Sequence, residues 1–174
     1  MRITLVGIDP GIKDTAAVAL TIDTDKKQLH VSNMVVNAIA EDPTKLTKLK
    51  AQLSTWEKGS CYYFIEGYRP RGLNVGQDTA MTALIKMLKT TFENSVVIDN
   101  TGVKNVIKNP VLRLLQLYKW NPTNHGDTRS AARIMLKGSF TIGWLNTILY
   151  LIITDLIERE DSWEIQRNIE VRLS

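Results

Sequence analysis

The chain has 174 residues, of which 44% are hydrophobic and 23% are charged, and its formal net charge is +4. This length predicts one domain, residues 1–174, with a proper hydrophobic core. The composition excludes a disordered chain and a coiled coil. A single cysteine, Cys61, excludes an internal disulfide and favours a reducing compartment. The mild basic excess is compatible with nucleic acid but does not require it.

The first 40 residues predict three strands. Aliphatic and β-branched residues fill positions 3–8, and further apolar runs follow at 15–23 and 29–37. Because the second and third runs are joined by a short polar turn at residues 24–27, they predict an antiparallel meander.

Helices and strands alternate over the middle of the chain. Leucines at helical spacing predict a helix after Asp42-Pro43, and the apolar run at 61–65 predicts a strand covered on both faces. Similar patterns predict a helix over 81–88, a strand over 96–98 and a helix over 111–118.

The last third of the chain is predicted to be helical. Residues 124–127 suit a helix start, and the helix continues to Gly138. Residues 139–174 are expected to form an added helical extension. Its apolar segment at 145–157 is too short and too polar for a membrane span, so no membrane partner is expected. The N-terminus lacks the apolar core of a signal peptide, and a cytoplasmic location is therefore expected.

Acidic residues end two of the predicted buried strands. Asp9 follows the first strand, and Glu66 follows the strand at 61–65. A carboxylate at such a place is costly unless it titrates or pairs with a cation. The alternative interpretations are a turn-capping aspartate and a salt-bridged glutamate.

A third acid, Asp127, begins the late helix, where an N-cap role alone would explain it. If the two strands are neighbours, Asp9 and Glu66 face each other and the helix can bring Asp127 to them. Clustered carboxylates repel, and a divalent cation reverses that effect. Oxygen ligands favour Mg²⁺ or Mn²⁺ over zinc, and two such ions can promote phosphodiester hydrolysis.

Four motifs occur in the order and spacing of the RuvC family of Holliday junction resolvases, which the chain resembles over residues 1–138. They are Gly7-Ile8-Asp9-Pro10-Gly11, Phe64-Ile65-Glu66-Gly67, Thr101-Gly102-Val103-Lys104 and His125-Gly126-Asp127-Thr128-Arg129-Ser130-Ala131-Ala132-Arg133-Ile134. The small size and divergent last motif resemble phage-encoded members from Gram-positive hosts. The first motif alone is also similar to the ATP-binding sugar-kinase and actin superfamily, whose further Gly-rich phosphate loops are missing here.

This resemblance implies an RNase H-like α/β fold, in which a mixed five-stranded sheet has an antiparallel meander followed by parallel strands and is flanked by helices. Residues 1–138 would form the core. The implied activity is that of a homodimeric endodeoxyribonuclease of DNA recombination and repair, each subunit of which cuts one strand of a four-way junction. The implied cofactor is Mg²⁺, which Mn²⁺ can replace, with two ions per site. The helix at 81–88 resembles the family's dimer helix.

The resemblance assigns catalysis and metal binding to Asp9, Glu66 and Asp127. The family's last helix usually supplies two ligands three residues apart, and the second position here is Ser130, a neutral and poorer ligand. Either Asp127 suffices, with Ser130 or His125 assisting through water, or activity is weakened. His125 is alternatively a simple helix-entry residue.

Five cations are expected to contact the DNA backbone: Lys104, Arg69, Arg71, Lys13 and Arg129. Lys104 matches the family's phosphate-contacting loop, and Arg69 and Arg71 closely follow Glu66. Such contacts make binding salt-sensitive without reading sequence. Each residue alone is also explained as an ordinary solvated cation.

Three functions follow from these observations. The first is a metal-dependent, structure-selective endonuclease that resolves Holliday junctions and other branched DNA. The second is a branched-DNA binding protein in which Ser130 has cost the chain its turnover. The third is a nuclease that cuts replication forks or flaps during phage DNA processing.

Overall fold

The computed structural model describes residues 1–70, 72–119 and 125–174. Within these residues, seven strands form one mixed sheet in the order β5-β4-β1-β2-β3-β6, and β7 also pairs with β3. The strands are β1 Arg2–Asp9, β2 Asp14–Asp23, β3 Gln28–Asn37, β4 Ser60–Glu66, β5 Val96–Ile98, β6 Glu164–Arg167 and β7 Val171–Leu173. The helices are α1 Lys45–Trp56, α2 Val75–Thr91, α3 Val103–Val106, α4 Asn109–Leu114, α5 His125–Phe140 and α6 Gly143–Glu158.

The pairing of the strands confirms the meander and the parallel strands that follow it. β1, β2 and β3 pair antiparallel in sequence, whereas β4 pairs parallel to β1 and β5 pairs parallel to β4. In the register of β1 and β4, Ile8 lies opposite Ile65. The next residues along these strands are Asp9 and Glu66, so the two acids end adjacent strands at the same edge of the sheet.

Helices cover both faces of the sheet, and each face has its own hydrophobic core. α1 and α2 bury Leu49 and Leu84 against one face, which includes Ile8. On the other face, Leu5 and Phe64 lie in the core beneath α5 and α6. Side chains alternate between the faces of a strand. Asp9 and Glu66 therefore project on the same side as Leu5 and Phe64, towards α5.

Two glycines allow α5 to lie directly against the sheet. A Cβ atom on Gly7 would lie 2.0 Å from the carbonyl oxygen of Ala131, and one on Gly138 would lie 2.2 Å from the ring of Phe64. Because neither position can hold a larger residue without a shift, the helix axis is fixed close to β1 and β4. This contact sets the first turns of α5 beside the strand-end acids.

Two predictions about the sheet and the tail were wrong in detail. The sheet has seven strands rather than five, because β6 and β7 each pair parallel to β3. The tail is consequently helical only over α6. The added strands are short and are held by contacts distant in sequence, such as the 2.9 Å hydrogen bond from Asn33 to Glu170, so local periodicity does not reveal them.

The helix predicted over 111–118 is shorter than expected. α4 ends at Leu114, and Gln116 then adopts a left-handed backbone conformation with φ of 55°. An L-residue in that conformation cannot continue a right-handed helix. The chain turns there, and the Leu117 N–H donates to the carbonyl of Leu112 at 2.6 Å.

Within the described ranges, no helix is long and apolar enough to cross a bilayer by itself. α5 and α6 reach that length and hydropathy only when they are taken together, and a bend of 118° separates them.

Candidate active site

The carboxyl groups of Asp9 and Glu66 meet at the edge where β1 and β4 end, close enough for each to act on the other. The sheet register and the side-chain alternation described above bring the two groups together. The predicted proximity of these two acids is therefore present in the structure.

The environment of Asp9 strongly favours its protonated form. Burial, followed by the charge and hydrogen bond of Glu66 and the charge of Asp127, raises the pKa of Asp9 from 3.8 to about 9, although a hydrogen bond to Ser130 opposes the rise. Among the described residues, the two charged groups that contribute to this rise, Glu66 and Asp127, are both acidic. Bound cations invert such pKa shifts. A divalent cation bound beside Asp9 would therefore favour the charged form of its carboxyl group.

Two neutral donors hold Glu66 in place. The hydroxyl of Ser130 donates to Oε2 at 2.9 Å, and the amide of Asn100 donates to Oε1. Each oxygen of the carboxylate is consequently oriented by a group that adds no charge. Ser130, predicted as a weak ligand, lies in the site and contacts both Glu66 and Asp9.

Asp127 lies in the first turn of α5, half-buried, and its charge acts on Asp9. Among the described residues, no three His, Cys, Asp or Glu side chains are already arranged to hold an ion. The donors that converge are nevertheless oxygens, and they include two carboxylates in contact. Such a donor set fits Mg²⁺ or Mn²⁺ better than a softer metal.

A cavity of about 650 Å³ opens beside Asp9, between α5 and the segment that contains α3 and α4. Two acids, Asp9 and Asp127, line it. Four cations also line it: Lys104, Lys108, Arg129 and Arg133. Two of these, Lys104 and Arg129, are residues that the sequence predicted for DNA binding. The cavity therefore joins the carboxylates to a surface suited to an anionic ligand.

The other predicted cations have different surroundings. Arg69 forms an ion pair with Asp99, and Lys13 lines a shallow groove that also includes Asp127. Arg129 donates to the carbonyl of Tyr118 at 2.9 Å, and its guanidinium carbon lies 4.1 Å from the centre of the Tyr118 ring. Arg71 lies outside the described residues, and so does the side chain of His125.

No protein-family model matches the chain, and no curated protein shows a significant sequence match. Solved structures do match it. RuvC from Thermus thermophilus in complex with a Holliday junction substrate superposes with a TM-score of 0.57 at 15% identity, over 80% of this chain and 93% of that chain. The chain has the RuvC fold.

Two further structures are similar at lower scores. A second structure of T. thermophilus RuvC has a TM-score of 0.47 at 16% identity, over 80% of this chain and 94% of that chain. Fowlpox virus resolvase in complex with Holliday junction DNA has a TM-score of 0.46 at 14% identity, over 86% of this chain and 99% of that chain. The RNase H-like α/β class expected from the sequence is confirmed by the mixed sheet with helices on both faces and by the superposition with a TM-score of 0.57.

Three residues of this RuvC fold belong to the site but were missed by sequence reasoning. Asn100 follows β5 at the same end of the sheet as Glu66. Its position just after a predicted strand could have indicated that it belongs to the site. Lys108 lies four residues after Lys104. Arg133 lies three residues after Ser130, which puts it on the same side of α5. The distances along the chain from Lys104 to Lys108 and from Ser130 to Arg133 could have indicated that Lys108 and Arg133 belong to the site.

Proposed function

We propose that this chain is a divalent-metal-dependent endonuclease that cuts branched DNA, with the four-way junction as its main substrate. One observation carries the proposal: in a RuvC fold, a cluster of carboxylates with a strongly raised pKa at Asp9 borders a cavity lined by four cations. Perturbed acids in a cleft are typical of functional sites. The RuvC and fowlpox virus structures that resemble this chain are complexes with Holliday junction DNA, which favours this substrate class.

In this proposal, Asp9, Glu66 and Asp127 hold the metal, and Ser130 or His125 assists through water. Mg²⁺, or Mn²⁺ in its place, would supply Lewis-acid stabilisation of the phosphodiester and lower the pKa of the attacking water. Asn100 and Ser130 orient Glu66, because each donates to one of its oxygens. We propose two ions per site.

The DNA backbone would be bound by Lys104 and Arg129, which line the cavity beside Asp9. We also propose Arg69, Arg71 and Lys13 as contacts to the backbone. Paired cuts in a four-way junction require two active sites. We therefore propose a homodimer that uses α2. Met81, Leu84 and Leu88 of this helix are already buried within one subunit, so the dimer contact would use other residues of α2. A phage origin, with action in the cytoplasm of a bacterial host, remains part of the proposal.

The test is to incubate the protein with a labelled four-way junction, a replication fork and a linear duplex, in Mg²⁺ and in Mn²⁺. We expect paired cuts in the junction and little cleavage of the duplex. Glu66→Gln is the control, since it keeps the shape of the side chain but removes its charge. Preferential cleavage of forks or flaps would favour the third function, and equal cleavage by Glu66→Gln would refute the assignment of the site.

A binding protein without turnover is the second candidate, and the neutral Ser130 beside Glu66 is the observation that favours it. It predicts tight junction binding with no cleavage in either metal. Ser130→Asp separates the alternatives, because a fourth carboxylate should increase cleavage if metal binding limits the rate. Unchanged cleavage by an active enzyme would mean that Asp127 already suffices. Sedimentation without DNA should show a dimer, and a monomer would count against paired incision.

A further inference from the structure

Arg133 is a buried cation without a carboxylate partner in the described part of the chain. Its side chain projects from α5 into the wall of the cavity beside Asp9, and the residue is only 8% exposed. Its Nε donates to the carbonyl of Ile107 at 3.2 Å, and its Nη2 donates to Oδ1 of Asn109 at 2.6 Å. Both acceptors are neutral. None of the hydrogen bonds between described residues uses Nη1.

A buried charge with only neutral partners is unfavourable, because hydrogen bonds to neutral groups offset only part of the lost hydration. Desolvation and the nearby charge of Arg129 both lower the pKa of Arg133. An arginine stays protonated despite such shifts. The protein therefore keeps a permanent positive charge in the cavity wall, where an incoming anion would compensate it.

We propose that this cavity binds a backbone phosphate of the DNA next to the cut, and that Arg133 and Lys108 are phosphate ligands in addition to Lys104. The inference rests on the proposed function and adds two residues to its site. The positive charge of the guanidinium suits a phosphate group, and Nη1 is available to it because Nε and Nη2 already donate to Ile107 and Asn109. The surrounding cavity has four cations against two acids. These features favour an anionic, oxygen-rich ligand over a neutral one.

Arg133 also positions Lys108. The two residues that accept its hydrogen bonds, Ile107 and Asn109, lie on either side of Lys108 in the chain. α5 therefore fixes the backbone that carries Lys108, whose own side chain is exposed. The same helix contributes Ser130 to the carboxylate cluster. α5 thus contributes a residue to the phosphate site and another to the carboxylate cluster, which would keep the two in register.

The test measures binding of a labelled four-way junction, without divalent metal, over a series of salt concentrations. Loss of one phosphate contact should reduce the slope of log affinity against log salt by about 1. We expect this change in Arg133→Gln and in Lys108→Gln, together with a roughly tenfold loss of affinity for each. Lys50→Gln is the matched control, because it removes one exposed cation from α1 on the opposite face of the sheet.

Arg133→Lys separates charge from position. Lysine keeps the positive charge but cannot bridge Ile107 and Asn109 with a planar fork. We expect a salt slope close to that of the wild type and a lower cleavage rate at saturating DNA. A slope reduced as much as in Arg133→Gln would overturn the phosphate contact and leave only a structural role.

The outcomes distinguish this inference from the proposed function. Wild-type slopes in both Arg133→Gln and Lys108→Gln would overturn the inference even if the protein cuts junctions. Absence of junction binding by the wild type would instead remove the proposed function. If Arg133→Gln does not fold, as judged by circular dichroism, Lys108→Gln decides the result, because an exposed side chain can be exchanged with little effect on stability.

Discussion

Asp9 and Asp23 end two neighbouring antiparallel strands, so they lie at opposite ends of the sheet. The surroundings of Asp9 raise its pKa, whereas those of Asp23 lower its pKa. Asp9 ends β1 beside Glu66, and the pKa of Asp9 rises to about 9. Asp23 ends β2 opposite Arg2, whose Nε lies 2.7 Å from Asp23 Oδ2. Hydrogen bonds from Arg2 and from the Lys26 amide, with the charge of Arg2, lower the pKa of Asp23.

The difference shows that two acids with similar local sequence can have opposite electrostatic environments. Asp23 has a cation and a backbone donor that satisfy its charge, as expected for a residue that stabilises a strand end. Asp9 is partly buried beside Glu66 and Asp127, which makes its charged form unfavourable. Both aspartates follow apolar runs in the sequence, and only their partners in the structure reveal that their electrostatic environments differ.

The largest expected effect is on cleavage. Asp9→Asn should lower the rate of junction cleavage by at least about 10³-fold, since removal of a group that stabilises charge in a transition state costs this much. Asp23→Asn should leave the rate within about twofold of the wild type. Single-turnover cleavage of a labelled junction measures both. Comparable losses in the two variants would mean that the strand-end cluster has no special role.

The next effect concerns packing at the Asp9 end of β1. Gly7→Ala should lower the free energy of unfolding by about 1–3 kcal/mol, because the added methyl group collides with the Ala131 carbonyl and overpacking costs energy of this order. Cleavage should fall as α5 moves away from Asp9. Urea unfolding measures the stability. An unchanged unfolding midpoint would show that α5 lies farther from β1 than described.

The third effect is on stability and depends on pH. Because the pKa of Asp9 is raised in the folded state, its contribution to stability is full below about pH 4 and is lost as the pH rises towards about 9. Asp9→Asn should therefore stabilise the metal-free protein by at least about 2 kcal/mol at pH 8 and have little effect near pH 4.

Thermal melting in EDTA measures this third effect, and a gain of 2 kcal/mol would raise the melting temperature by about 4–8 °C for a chain of this size. Added Mg²⁺ should stabilise the wild type more than Asp9→Asn. A variant that is less stable than the wild type at pH 8 would contradict the raised pKa.

The smallest effect has the opposite sign. Since the pKa of Asp23 is lowered, its contribution is present at neutral pH and is lost as the pH falls below its usual range. Asp23→Asn should lower the melting temperature slightly at pH 7 and converge with the wild type in acid. An increase at pH 7, like that expected for Asp9→Asn, would remove the contrast between the two residues.

Much of the fold could be predicted because its signals are local. The apolar runs of β1 to β4 and the glycine and proline residues that end them are visible in the sequence. So is the start of α5. The pair Asp9 and Glu66 was predictable for the same reason, because strand ends are local features and adjacency was the only further assumption.

The remaining features depend on contacts between distant residues. The short strands β6 and β7 form only because the edge of β3 is available to pair with them. Asn100 orients Glu66 across 34 positions of sequence, and Arg133 reaches back to Asn109 on another element. Composition and periodicity contain no signal for such pairs, although the polar identity of each residue permitted them.

The pairing of β6 and β7 with β3 has a consequence for solubility. β3 is ten residues long, and without these two strands its outer edge would be an open row of backbone donors and acceptors. Long open edges recruit strands from other molecules and lead to aggregation. The last residues of the chain occupy that edge with their own backbone. A shortened protein without these residues would keep its carboxylate cluster, but the outer edge of β3 would be open to pair with strands of other molecules.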